Sequence, residues 1–186
     1  MSPNDWDTSL SKGEKWVPRV AKSATEFIIE NGLKKQSIRI IPFDTYENKK
    51  TQLSGIDVIC KPLGISLEIK TRYDTRWYNK DILLETVSII ETGKKGWLYT
   101  SKADFLAYIW VNKDPLPIGY IIDLPVLRKS RIMKRLNSFK ERKACSHSGN
   151  SRWSTLNREV PIYKFPEKTI YQFNPNKVRN KETKLG

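Results

Sequence analysis

Three ionisable side chains lie close together in an apolar part of the sequence. Asp57, Glu68 and Lys70 fall within residues 54–70, where apolar side chains predominate. Because side chains alternate between the two faces of a strand, Glu68 and Lys70 point to the same face. If the residues on either side of a turn at 62–64 pair as a hairpin, Asp57 joins them. Charged groups in buried strands are costly, so this cluster favours a functional site.

The residue types in this cluster suit metal-assisted chemistry. Mg²⁺ prefers carboxylate oxygens, takes one or two of them, and leaves other positions for water and substrate phosphate. Such a cation stabilises charge at phosphorus and supplies hydroxide near neutral pH. Lys70 would hold the attacking water or neutralise the developing charge. The cluster therefore predicts phosphodiester hydrolysis with Mg²⁺. We expect Mn²⁺ to substitute and expect no organic cofactor.

The composition predicts a polyanionic partner. Of 186 residues, 34 are Lys or Arg and 20 are Asp or Glu, giving a net charge of +14. DNA is the simplest such partner, although a generally basic protein would share this composition. A hydrophobic fraction of 38% is enough for a folded core. A membrane is not expected as a partner, because no apolar run approaches the roughly 18 residues of a spanning helix.

The termini and cysteines indicate a compartment. Residues 1–16 lack the apolar core of a signal peptide. Cys60 and Cys145 lie far apart in the sequence, so we expect reduced thiols and an intracellular, cytoplasmic setting. With the single His147, they are too few for a usual structural zinc site or for a nuclease built on paired histidines.

The periodicity of apolar residues and the positions of Gly and Pro predict the elements that hold the cluster. The predicted helices cover 18–31, 81–90 and 126–143. The predicted strands cover 37–43, the two arms of the 54–70 hairpin, 105–111, 118–124 and 156–165. We expect the strands at 105–111 and 118–124 to be antiparallel neighbours. The chain would then comprise a polar arm at 1–13, one domain at 14–165 and a flexible basic tail at 166–186.

Two segments combine features that suit contact with nucleic acid. Residues 71–80 are predicted to form a short loop that interleaves basic and aromatic side chains, a pattern suited to phosphates and stacked bases. The predicted helix at 126–143 has eight basic residues and one acid. The alternative for either segment is a solvated surface, and the excess of basic residues in the predicted helix favours nucleic-acid contact there. The candidate contact residues are Arg72, Arg76, Trp77, Tyr78, Lys80, Arg128, Lys129, Arg131, Lys134 and Arg135.

Asp57, ten intervening residues and then Glu68-Ile69-Lys70 resemble the signature of the PD-(D/E)XK nuclease superfamily. The resemblance covers the order of elements from about residue 14 to residue 125. It implies an α/β fold with a restriction-endonuclease-like mixed β-sheet flanked by helices, with an αβββαβ core. It also implies that Asp57, Glu68 and the backbone carbonyl of Ile69 bind Mg²⁺, and that Lys70 is catalytic.

The same resemblance implies a further acidic site residue. A helix after the motif often supplies one, and Glu85 matches by position. The first helix often supplies another, for which Glu14 is preferred over Glu26 by helical phase. The sequence departs from the family where a proline usually precedes the first acid, because Ile56 stands there.

The leading hypothesis is thus a magnesium-dependent DNA endonuclease, either structure-specific or site-specific. One site cuts one strand at a time, so duplex cleavage would require a homodimer. A small basic nuclease of this kind would suit a phage or mobile element. The alternatives are a non-catalytic nucleic-acid-binding protein on a similar scaffold and an RNA-directed nuclease.

Overall fold

The computed structural model of the chain describes residues 20–33, 44–45, 54–60, 64–72, 80–110, 118–148 and 151–173. Its strands are β1 (Asp44–Thr45), β2 (Val58–Cys60), β3 (Ile65–Arg72), β4 (Asp81–Ile89), β5 (Lys94–Lys95), β6 (Phe105–Trp110), β7 (Ile118–Asp123), β8 (Lys140–Ser148), β9 (Ser151–Pro161) and β10 (Ile170–Phe173). Its helices are α1 (20–30), α2 (Trp97–Thr100), α3 (Leu124–Lys129) and α4 (Arg131–Lys134), with 3₁₀ turns at Ile90–Thr92, Leu136–Ser138 and Ile162–Lys164. The described fold is mixed α/β, as predicted.

The first sheet has six strands in the order β1-β2-β3-β6-β7-β10. β2 and β3 are antiparallel, with Val58 opposite Leu67, so the predicted hairpin is confirmed. Gly64 closes it with a φ of +60°, a conformation that glycine adopts at little cost. β3 is parallel to β6, and β6 is antiparallel to β7, which confirms that predicted pairing.

One face of this sheet packs on α1. The apolar stripe of the helix, Val20, Ala21, Ala24 and Ile28, is fully buried, and it contacts the sheet face that carries Ile65, Leu67 and Ile69. The predicted first helix is confirmed over its described residues, and Gly32 follows it in a turn with a φ of +62°.

The opposite face of the first sheet packs on a second sheet, whose order is β5-β4-β9-β8. Ile82, Leu84 and Val160 form one side of this second core, and Leu106 and Trp110 form the other. The first sheet is thus the middle layer, and its two faces have different surroundings. Among the described residues, no helix is long and apolar enough to span a membrane.

The predicted helix at 81–90 is wrong, because these residues form β4. β4 pairs with β9 from Asp81 opposite Pro161 to Val87 opposite Leu156. The segment is rich in β-branched residues, and Ile82 and Leu84 bury their side chains with the period of two expected of a strand. The predicted late strand is confirmed as β9, which begins earlier and ends at Pro161.

The predicted basic helix at 126–143 is wrong in its extent. Asp123 caps α3 by accepting a hydrogen bond from the Val126 N–H, and Ser130 both ends α3 and caps α4. Residues from Lys140 onward form β8, in which Lys140 stands opposite Glu159. Cross-strand pairing of opposite charges stabilises this strand at the expense of a continued helix.

The predicted tail begins too early, because Ile170–Phe173 forms β10 and pairs with β7. The predicted strand at 37–43 lies outside the described residues. The arm at 1–13 also lies outside them.

Candidate functional site

The three residues singled out by the sequence lie together where β2 meets β3. Lys70 Nζ lies 2.7 Å from Glu68 Oε1. In the parallel ladder Glu68 stands opposite Leu106 and Lys70 opposite Tyr108, both of which belong to the core between the sheets. The pair therefore faces the second sheet rather than α1. The Glu68 side chain is 2% exposed and that of Lys70 is 39% exposed, so the cluster has a buried end and an open end.

Asp57 is fixed at the start of the hairpin by two hydrogen bonds. Its backbone N–H donates to the Leu67 carbonyl at 2.9 Å, and its Oδ2 accepts from the Ile69 N–H at 2.6 Å. The N–H and C=O of one strand residue point to the same side of the strand. The Ile69 carbonyl therefore also points toward the side of β3 on which Asp57 lies, next to the first residue of β2.

The second oxygen of Glu68 has an unusual environment. Oε2 is buried and has no hydrogen-bond partner within the described part of the chain. Buried carboxylate oxygens are nearly always hydrogen-bonded, and leaving one unsatisfied costs about 1–3 kcal/mol or more. This oxygen is therefore suited to bind a cation.

Glu85 reaches the same cluster from β4, although the sequence assigned it to a helix. Its Oε1 accepts a hydrogen bond of 3.3 Å from the Trp97 N–H at the start of α2. Burial raises the pKa of Glu85, while the charge of Lys70 and the Trp97 N–H act in the opposite direction. Burial lowers the pKa of Lys70, but the charges of Glu68, Asp57 and Glu85 outweigh this and leave that pKa raised. The four side chains therefore interact electrostatically.

Arg128 is a further charged residue beside the cluster. Its Nε donates to the Leu98 carbonyl at 2.9 Å and its Nη2 donates to the Ser101 carbonyl at 2.7 Å. Burial lowers the pKa of Arg128, and the charge of Glu68 opposes this effect. The sequence predicted Arg128 only as a nucleic-acid contact, because no local signal shows that α3 packs beside α2.

The carboxylates fit Mg²⁺ in kind and number. Asp57 and Glu68 supply hard oxygen donors, and Mg²⁺ takes only one or two protein carboxylates when phosphate and water complete its shell. Within the described ranges, no group of three or more His, Cys, Asp or Glu side chains is arranged to hold a metal ion. Two carboxylates are the usual protein share of a Mg²⁺ site that phosphate and water complete.

The two glutamates predicted from the first helix are not part of the described cluster. Glu14 lies outside the described residues. Glu26 lies on α1, which packs on the face of Ile65, Leu67 and Ile69, whereas Glu68 points to the opposite face.

The predicted nucleic-acid contacts divide into three groups. Arg72 is not in a loop but is the last residue of β3, where its guanidinium is buried against Asp81. Arg76, Trp77 and Tyr78 lie outside the described residues. Apart from Arg128, which is described above, the remaining predicted contacts are exposed, namely Lys80, Lys129, Arg131, Lys134 and Arg135.

Comparisons of the chain with protein-family models, with curated proteins and with solved structures found no significant match.

Proposed function

We propose that this chain is a magnesium-dependent endonuclease that hydrolyses phosphodiester bonds in DNA. The observation that carries the proposal is the buried Glu68 carboxylate, which has one oxygen on Lys70 and the other without a partner in the described structure. An unsatisfied buried carboxylate oxygen costs free energy, and a bound cation would offset this cost.

The topology around the cluster supports the restriction-endonuclease-like assignment. α1 is followed by the antiparallel strands β1, β2 and β3, and then by a crossover to β6, which is parallel to β3. This order is similar to αβββαβ, except that the crossover contains β4, β5 and the short helix α2 instead of a long helix. The net charge of +14 supports a polyanionic substrate.

Each residue of the cluster has a role in this proposal. Asp57, Glu68 and the Ile69 carbonyl would hold the cation, which when bound stabilises charge at phosphorus and supplies hydroxide near neutral pH. Lys70 is an ammonium at neutral pH, because its pKa is raised. It therefore donates hydrogen bonds that orient the attacking water and neutralise charge on the phosphoryl oxygens. The water oxygen forms a bond to phosphorus and gives up a proton to solvent. One ester P–O bond breaks, and the leaving alkoxide takes a proton from solvent.

Glu85 and Arg128 support the cluster. Glu85 ties the start of α2 to β4 through the Trp97 N–H, and its charge acts on Lys70. Arg128 donates to the carbonyls of Leu98, within α2, and Ser101, directly after it, and adds positive charge near Glu68. Both residues therefore hold α2 in place beside the site.

The proposal is tested by incubating supercoiled, linear and branched DNA with the protein in Mg²⁺ and then in chelator. We expect cleavage of at least one form in Mg²⁺ only. Asp57→Ala, Glu68→Gln and Lys70→Ala should each slow cleavage about 100- to 1000-fold, as expected for groups that stabilise transition-state charge. Glu167→Gln, which removes a carboxylate from an exposed residue, is the matched control and should not change the rate.

Two results would count against this assignment. Cleavage that persists in all three variants would exclude the cluster as the active site. Binding of every DNA form without metal-dependent cleavage would favour the non-catalytic protein. Labelled RNA of the same sequence and structure, assayed in parallel, decides between the two substrates.

A further inference from the structure

Two adjoining cavities lie on the side of the second sheet where β4 begins. One has a volume of about 820 Å³ and the other about 270 Å³, and both are lined by Phe139 and Tyr163. The larger also borders Lys80, and the smaller borders Arg131, Arg135 and Lys164. We call this surface the Tyr163 groove. It is formed by Phe139, Tyr163, Lys80, Arg131, Arg135 and Lys164.

Tyr163 is the most exposed large apolar side chain among the described residues, at 78%. It lies in the 3₁₀ turn Ile162–Lys164, directly after β9 ends. Lys164 Nζ lies 5.0 Å from the centroid of the Tyr163 ring. Such a cation near an aromatic face is a favourable contact, and it also places positive charge beside the ring. The groove thus presents a planar ring next to an ammonium group.

The groove carries positive charge that no acidic side chain in the described part of the chain neutralises. Arg131, Arg135 and Lys80 are exposed, and no acidic side chain in the described ranges pairs with them. The two carboxylates in the lining are those of Asp81 and Glu159. Both are buried, and they form ion pairs with Arg72 and Arg142 respectively. The groove therefore attracts an anion.

The groove is separate from the Glu68 cluster. Asp81 lines the groove and Glu85 belongs to the cluster, and both lie on β4. Four residues of extended strand span about 13 Å. A ligand bound in the groove therefore need not touch the cluster.

We propose that the Tyr163 groove binds single-stranded nucleic acid, with a base stacked on Tyr163 and neighbouring phosphates on Arg131 and Arg135. Aromatic rings flanked by cations are the usual means of binding single strands, because every base has a stacking face and every linkage a charge. A duplex would offer Tyr163 no free base face, since its bases are already stacked on one another. The proposal goes beyond the endonuclease activity, because it requires neither metal nor cleavage.

The stacking contact is tested by fluorescence anisotropy with labelled oligo(dT) and oligo(U) in the presence of chelator. Tyr163→Ala should weaken binding about fivefold to 150-fold, the range that stacking on one aromatic residue typically contributes. Tyr163→Trp should restore it. Tyr99→Ala is the matched control, because Tyr99 is also an exposed tyrosine, at 47%, and should bind like the unchanged protein.

The charge contribution is tested with a double neutralisation. Combining Arg131→Gln with Arg135→Gln should weaken binding. It should also reduce the slope of log K against log salt concentration by about 1.4, the value for two phosphates on a single strand. The control is Lys94→Gln with Lys95→Gln. It removes the same charge from exposed β5, which pairs with Val87 and Ile89 at the other end of β4.

Three outcomes would overturn the proposal. These are unchanged binding by Tyr163→Ala, equal losses in the two double variants, and competition by poly-glutamate as strong as by an unlabelled strand. Binding of only one of the two oligonucleotides would support the proposal. Because the assay contains chelator, a protein that binds strands here but cleaves none would support the groove while contradicting the endonuclease activity.

Discussion

The Nζ of Lys70 lies 2.7 Å from Oε1 of Glu68, while Oε2 of the same carboxylate is buried without a hydrogen-bond partner in the described structure. One side of the carboxylate is therefore satisfied and the other is not. A divalent cation on the second side would satisfy both oxygens, because carboxylates accept from several charged partners at once.

Mg²⁺ should therefore stabilise the folded protein. A ligand present at ten times its dissociation constant stabilises a folded chain by about 1.4 kcal/mol, which for this size corresponds to a rise in Tm of roughly 3–6 °C. Thermal unfolding followed by circular dichroism, with Mg²⁺ and with chelator, measures the shift. Glu68→Gln and Asp57→Asn should abolish it, and Glu167→Gln should retain it. An equal shift in all four proteins would show that the cation binds elsewhere.

The core of the cluster could be predicted because it depends on local geometry. Glu68 and Lys70 share a face since one residue separates them on a strand, and the hairpin brings Asp57 beside them across a short turn. No packing between distant segments is needed for either conclusion. The central strands β6 and β7 were predictable for a similar reason, since their apolar runs are separated only by a short proline-containing connection.

The remaining partners depend on contacts between distant segments. Glu85 was expected on a helix, but pairing of β4 with β9, about 70 residues later, makes this segment a strand. The position of Arg128 depends on how α3 packs beside α2. Arg72 was expected in a surface loop, yet its side chain is buried and forms an ion pair with Asp81. Local propensity does not contain these contacts, so tertiary packing decides them.

The buried ion pair of Arg72 and Asp81 should be important for stability. Both side chains are 8% exposed, and the pair joins the end of β3 to the start of β4. Arg72→Met or Asp81→Leu leaves the other charge buried, and each should cost about 3–5 kcal/mol in the free energy of unfolding. Combining Arg72→Met with Asp81→Leu should recover most of this loss. Urea denaturation of the three variants measures the coupling.

A surface ion pair provides the control for that experiment. Arg158 Nη2 lies 3.0 Å from Oε2 of Glu141, whose side chain is 43% exposed. Glu141→Gln should lower the free energy of unfolding by less than about 1 kcal/mol. Additive losses from Arg72→Met and Asp81→Leu would contradict the coupling between the two buried charges.

Gly96 should be intolerant of a side chain because it packs on Glu85. A Cβ at position 96 would lie 2.6 Å from the carbonyl carbon of Glu85 and 2.8 Å from its Cγ, so the backbone of β4 would have to move. We expect Gly96→Ala to cost about 1–3 kcal/mol in stability and to slow cleavage by displacing Glu85. Gly93→Asn is the control, because Gly93 has open space around it and Asn tolerates its φ of +67°. Equal effects of the two substitutions would exclude the steric explanation.

Cys145 should react with alkylating agents faster than an ordinary thiol. It is exposed, and the Arg152 Nε donates a hydrogen bond of 3.2 Å to its Sγ. This hydrogen bond lowers the pKa of the Cys145 thiol, so more thiolate is present between about pH 7 and 8. Mass spectrometry of the Cys145 peptide after timed iodoacetamide treatment measures the rate. Arg152→Gln should slow it and move its pH midpoint upward, whereas Lys143→Gln should have little effect. An unchanged midpoint in Arg152→Gln would contradict the role of the hydrogen bond.

Residues 170–173 should behave as part of the core rather than as a tail. Phe173 is 5% exposed, and its ring lies directly over Gly119 of β7, with Cζ 2.7 Å from where a Cβ of residue 119 would stand. Phe173→Ala should therefore cost about 3–5 kcal/mol in the free energy of unfolding, through lost burial and the cavity left on the first sheet. Gln172→Ala is the matched control on the same strand. Gln172 is exposed, so this substitution should change stability by no more than about 0.5 kcal/mol. Equal midpoints of urea denaturation for the two variants would mean that β10 contributes little and that the folded domain ends before it.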